Sequence, residues 1–211
     1  MKTPSPTISC TDIPDSLDLI PIPTETRRKA GRKAKRKGSS YERTLCKVFS
    51  GLWGSKFFRT PMSGGSQLKY DYNLAGDIST PDESFPYHVE AKNQEALKSF
   101  HNIFVSPKCP VWKWWAQSTT ECPEDKVPLL IFTRNYMPSF VMLPLTYGVL
   151  LESSEEDSGG EFIRVNKCAV ITLDKFMKFE KDTHVSCASE YLSWETEHGV
   201  VMEVITFNSY K

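Results

Sequence analysis

An α/β fold, a mixed sheet flanked by helices, is what this 211-residue sequence predicts, and three observations predict it. Apolar residues recur at three- and four-residue steps through residues 41–53, as one face of a helix does. Short runs rich in branched and aromatic residues stand at residues 77–80, 87–92, 127–133 and 140–143, as strands do. Between the second and third of these runs, VWKWWAQSTT (residues 111–120) has helical character. With 39% hydrophobic and 12% aromatic residues, the chain can bury one sizeable core.

The elements follow in order. Residues 1–38 hold Pro4, Pro6, Pro14, Pro21 and Pro23 and then the basic run RRKAGRKAKRK, and together they describe a flexible arm. The folded domain is expected to begin near Ser39, spanning 39–211 with a C-terminal extension after about residue 145. Its first helix buries Tyr41, Leu45, Val48, Phe49, Leu52 and Trp53 and stops at Gly54. KFFRT (56–60) reads as a short strand, and PMSGGSQLKYDYNLAG as a loop punctuated by Pro61, Gly64, Gly65 and Gly76. The turn residues PDES (81–84) between the runs 77–80 and 87–92 predict a hairpin. Past residue 145 an acidic loop, ESSEEDSGGE (152–161), precedes FIRV, CAVITL, a helix-like LDKFMKFEK and a final ordered run, VVMEVITF.

Composition excludes several classes. No apolar run approaches a membrane span, and MKTPSPTISCTDIPD lacks the apolar segment of a signal peptide, so a soluble intracellular protein is expected. That means prokaryotic cytoplasm, or the nucleus if the host is eukaryotic. Cys10, Cys46, Cys109, Cys122, Cys168 and Cys187 form no CxxC pair and have no histidine at zinc-finger spacing, so reduced thiols are expected. The 26 basic and 26 acidic residues cancel, but residues 27–37 concentrate eight of the basic ones with no acid. The rest of the chain therefore holds 18 basic against 26 acidic residues. Such a block repels itself and attracts polyanions.

The segment that carries chemistry runs from Asp77 to Glu90-Ala91-Lys92. Side chains alternate along a strand, so Glu90 and Lys92 project from one face about 7 Å apart. If Asp77 lies on a neighbouring strand, its carboxylate meets that of Glu90, and the pair suits an octahedral Mg2+, with Mn2+ an acceptable substitute. Lys92 would then orient a water and offset charge in the transition state. The bland alternative is an exposed half-polar strand. Glu42, in GSSYER, has two readings as well: a functional acid at the helix start, or the far end of a Ser39-x-x-Glu42 capping box. In FFRTPMSGG, a base, a hydroxyl and glycine amides could grip phosphate, or could form a plain surface turn.

The order GSSYER, FFRTPMSGG, GDI and HVEAK resembles archaeal-type Holliday junction resolvases and their bacteriophage relatives in the PD-(D/E)xK superfamily, over residues 38–94. The resemblance implies a restriction-endonuclease-like core and a metal-dependent endonuclease that nicks four-way junctions as a homodimer. It also implies Glu42, Asp77, Glu90 and Lys92 as active-site residues, with Asp77 and Glu90 binding metal, Glu42 acting near it, and Lys92 serving the water. Arg43 and Arg59 match phosphate-contacting arginines, and Ser63 a loop serine near the scissile strand. Downstream, WKWWAQ resembles what phage members carry after the lysine, which makes Gln117 an accessory candidate; the alternative is helix packing. SQLKYDYNLA is longer and more aromatic than in compact archaeal members.

Arg32, Lys33, Lys35, Arg36 and Lys37 of the basic run are candidate DNA-binding residues, as a salt-sensitive tether. A nuclear-import signal and a solvated tail are the alternatives. Three rivals to junction cleavage remain: a nuclease with the same site acting on duplex, flap or single-stranded DNA, an inert DNA-binding protein, and a regulatory or structural protein whose aromatic-rich second half is a partner surface.

Overall fold

The computed structural model describes residues 24–60, 76–95, 97–154 and 162–198. The final run VVMEVITF and the loop serine Ser63 lie outside the described residues. The elements are α1 (Thr24–Trp53), β1 (Phe58–Arg59), β2 (Ile78–Ser79), β3 (Tyr87–Asn93), α2 (Asn102–Val105), α3 (Pro110–Thr120), β4 (Val127–Thr133), β5 (Phe140–Pro144), α4 (Leu145–Ser153), β6 (Ile163–Val165), β7 (Cys168–Thr172), α5 (Leu173–Phe176) and α6 (Lys181–His198). A five-stranded mixed sheet of order β3-β4-β5-β7-β6 is the centre, with the ribbon β1-β2 beside it. Helices cover both faces, so the α/β expectation holds.

Strand β4 explains the sheet's depth. All seven of its residues, VPLLIFT, are buried, because β3 pairs with it in parallel and β5 antiparallel, and both its faces are covered. Such a strand reads as a continuous apolar run rather than an alternating one. Leu129 and Ile131 enter the core beneath α1, α4, α5 and α6; Leu130 and Phe132 enter a second core beneath α2 and α3. The parallel β3–β4 pair needs a crossover, which α2 and α3 provide. Pro110 opens α3 at a position where its missing N–H is harmless, and Val111, Trp112, Trp114 and Trp115 are its buried side.

Helix α1 buries Leu45, Cys46, Phe49 and Trp53 at helical spacing and ends where Gly54, at φ +66°, donates its N–H to the Ser50 carbonyl. Its start differs from expectation. The helix begins at Thr24, not near Ser39, so the basic run is helical and the anticipated boundary at residue 38 falls inside one element. Lysine, arginine and alanine are good helix formers and the stretch has no proline, so a packed C-terminal half can propagate helix through it. Ser39 is consequently interior to α1, and the capping-box alternative for Glu42 is discarded.

Two further differences concern pairing. The expected hairpin between the runs 77–80 and 87–92 does not form: β2 pairs antiparallel with β1, while Gly76 bridges Val89 in parallel. Residues 80–86 carry the chain back to the start of β3. Their turn is held by Asp82, which accepts from Ser84, Ser55 and Lys181. Past residue 145, α4 and α6 pack under the sheet, and β7 inserts between β5 and β6. At Gly148 of α4, a β-carbon would sit 2.5 Å from that of Ala169 on β7, so glycine permits this helix to approach the sheet. No helix among the described residues is long and apolar enough to cross a membrane.

Candidate active site

The site is built on the free edge of β3, where backbone groups would otherwise lack partners. Asp77 supplies them. Its N–H donates to the Val89 carbonyl at 2.7 Å, and its carboxylate Oδ2 accepts the Ala91 N–H at 2.9 Å. Backbone and side chain of one residue thus continue the ladder, which fixes the carboxylate beside residue 90. From the other side, Thr60 N–H donates to the Asp77 carbonyl at 3.0 Å, and β1 pairs with β2 just beyond. Gly76 makes this approach possible. It holds φ +83°, and a β-carbon there would lie 2.4 Å from the Val89 carbonyl oxygen.

Alternation then sorts β3. Tyr87 and Val89 point into the core under α1, whereas His88, Glu90 and Lys92 share the opposite face. Glu90 is 4% exposed and pairs with the Lys92 ammonium. Burial pushes its carboxyl up to about 7, the Asp77 charge adds to the rise, and Lys92 opposes it. Two buried carboxylates, Asp77 at 8% and Glu90 at 4% exposure, therefore carry more negative charge than one lysine offsets. A divalent cation is the group that would relieve this, and the oxygen donors suit one.

Glu42 is also buried, at 9% exposure, on the inner side of α1. It accepts from Arg59 Nε, so the acid of the first motif is tied to the arginine of the second, and through β1 to the segment carrying Asp77. Arg59 is thereby partly occupied within the protein. Arg43 is exposed on α1. Gln117 is exposed near the end of α3, and its amide donates to Glu121 at 3.3 Å. Ligand atoms of Glu121, Glu90 and His88 lie within 4.8 Å of one another, which brings Gln117 to the rim of the site through a neighbour.

Arg32, Lys35 and Arg36 are exposed on α1, and the side chain of Lys33 lies outside the described residues. Lys37 pairs with Glu95 at 2.6 Å, and Tyr41 donates to Ser139 at 2.8 Å. These contacts tie the end of the basic run to the turn after β3 and the following turn of the helix to the segment before β5. An open cleft there is lined by Arg36, Lys37, Ser40, Thr44 and Asn93, the residue after Lys92.

Residues 33–186 match the profile of a family described as phage putative PDDEXK endonuclease. The chain belongs to this phage PDDEXK endonuclease family. No curated protein and no solved structure matches the chain. The match begins within the basic run and extends past residue 145 into the start of α6, so the end of the basic run and α4, β6, β7 and α5 fall within the family's span. Against the motif that names the family, the chain presents Asp77 and Glu90-Ala91-Lys92, with Gly76 where the name has proline. Proline could not take φ +83°, so this edge docking is specific to glycine.

Two polar residues of this region were missed in the sequence. His88 was discoverable, since it shares the parity of Glu90 and Lys92. Glu121 carried no local signal, because it reaches Glu90 only through the packing of α3 on the sheet.

Proposed function

We propose that this phage PDDEXK endonuclease is a divalent-metal-dependent enzyme that cuts branched DNA, acting as a two-fold dimer. The observation that carries the catalytic part is the docking of the Asp77 carboxylate on the edge of the strand that bears Glu90 and Lys92. Asp77 and Glu90 would hold Mg2+, or Mn2+ in its place, with Glu42 close behind. A bound cation would neutralise charge on the scissile phosphate and lower the pKa of the attacking water.

The protein's own groups do the rest. The Ala91 N–H holds the Asp77 carboxylate in place. Lys92 donates to Glu90, and on substrate entry its ammonium can turn to the water or to a phosphate oxygen. Arg59 orients Glu42. Arg43, with the loop residue Ser63, is proposed to contact the backbone of the cut strand, and Gln117 to assist from the rim.

Support for a branched substrate comes from the motif order and from the placement of charge. Helix α1 spans 30 residues, about 45 Å, and its basic half extends N-terminally beyond the half that carries Glu42. Arg32, Lys33, Lys35, Arg36 and Lys37 would follow a duplex arm beyond the cut site. A two-fold dimer would offer two such helices and two sites, as paired nicks in a junction need.

The test compares a labelled four-way junction with matched duplex, flap and single-stranded DNA in Mg2+, for the wild type and Glu90→Ala. Paired nicks confined to the junction, and lost in the variant, are expected. Equal cutting of duplex or flap would make the enzyme a general nuclease. Binding without any cutting would leave the inert DNA-binding rival.

A further inference from the structure

His88 precedes Glu90 by two residues and shares its side of the β3 pleat. It is 2% exposed, and neither ring nitrogen has a hydrogen-bond partner among the described residues. Buried polar side chains are nearly always paired, so an imidazole with both nitrogens unsatisfied calls for a ligand. A His88 ring nitrogen, a Glu90 carboxylate oxygen and a Glu121 carboxylate oxygen lie within 4.8 Å of one another. Glu121 follows the last turn of α3 and is exposed, which leaves the trio open to solvent on one side.

We propose that His88, Glu90 and Glu121 bind a second divalent ion, of the transition-metal kind, adjacent to the position formed by Asp77 and Glu90. The placement of the first ion rests on the nuclease reading above; the second donor set stands on its own geometry. Glu90 is the shared ligand, lying between His88 and Lys92 along the strand. One imidazole nitrogen with two carboxylates suits Mn2+, Co2+ or Zn2+, whereas Mg2+ prefers oxygen throughout. The two positions therefore differ in selectivity. Mg2+ fills the first, and only a transition ion fills the second. Gln117, whose amide holds Glu121, is a positioning residue for the second ion.

Mn2+ binding to the metal-stripped full-length protein, without DNA, tests this by electron paramagnetic resonance. Wild type is expected to bind two Mn2+ per chain, one of them displaced by excess Mg2+. His88→Gln and Glu121→Gln should each weaken the Mg2+-resistant ion at least roughly tenfold, while Asp77→Asn removes the other ion. Glu121 is exposed, so its variant separates lost ligation from lost folding; thermal melting checks His88→Gln.

A single Mn2+ in wild type, removed by Asp77→Asn and untouched by the His88 and Glu121 variants, overturns the second position and leaves the nuclease reading standing. Two ions insensitive to both variants overturn it as well. No bound Mn2+ in any protein, together with no cleavage, defeats both readings.

Discussion

The two faces of β3 have opposite tasks, although their residues alternate in one seven-residue strand. Tyr87 and Val89 face the aromatic core, where Tyr87 bonds Tyr147 at 2.5 Å and His184 Nδ1 at 2.6 Å and lies edge-on to Trp53. There every ring is packed and the polar groups are neutral, Trp53 Nε1 and His184 Nε2 lying buried without a hydrogen-bond partner among the described residues. On the other face, His88 and Glu90 are nearly as buried and Lys92 is half-buried, yet both His88 nitrogens lack partners among the described residues and Glu90 has Lys92 as its ion-pair partner with the Asp77 charge close by. The first face stabilises the fold. The second keeps charge at a free-energy cost, which a substrate or ion can recover on binding.

The largest effect expected from this contrast is on the polar face. Glu90→Ala and Lys92→Ala should each lower cleavage at least ~10³-fold while the near-UV spectrum stays native. Glu90→Gln should do the same and also raise the melting temperature of the metal-free protein at pH 8. The sign follows from the raised carboxyl. Folding favours protonated Glu90, so its stabilising contribution is present below pH 4.5 and lost as pH rises through about 7. A lower melting temperature for Glu90→Gln would mean that the carboxylate is well satisfied without a cation.

Next comes the edge that joins the faces. Gly76→Ala places a β-carbon against the Val89 carbonyl, so Asp77 must shift. A displacement of about 1 Å at a catalytic group costs on the order of 10²-fold in rate, and cleavage assays should show that loss with a smaller drop in stability. Wild-type activity in Gly76→Ala would show that Asp77 does not depend on this docking.

The apolar face has its own pH signature. His184 is wholly buried among Trp53, Tyr87, Phe176 and Phe179, and burial pushes its pKa down to about 4. The unfolded chain takes up the proton below about 6.5. Stability from His184 is therefore complete above that value and lost as pH falls toward 4, by roughly 3 kcal/mol. Urea unfolding across this range measures it, and a His184→Phe variant should flatten the dependence.

The smallest effects belong to the basic helix. Lys35→Ala should leave stability within about 0.5 kcal/mol. It should lower the salt dependence of DNA affinity by about one unit of slope, as loss of one phosphate contact does. An unchanged slope would remove this half of α1 from the DNA contact surface.

The sequence by itself determined the mixed α/β class, the amphipathic half of α1, the strands β3, β4 and β5, and α3. In each, the period of apolar residues is local and needs no partner to be read. It also exposed Asp77, Glu90 and Lys92 as a set, because strand alternation alone puts Glu90 and Lys92 on one side. Tertiary structure decided the rest. Asp77 meets β3 through a glycine-dependent parallel bridge rather than the expected hairpin, since the edge of β3 offered a carbonyl and an N–H that residues 76–77 could satisfy. Helix α1 runs back to Thr24, since the seated half carries the basic half with it. The residues after 145 finish the sheet, because α4 and α6 bury their apolar sides against strands distant in the chain. Glu121 reaches Glu90 for the same physical reason: long-range packing sets which side chains meet, and no spacing along the chain records it.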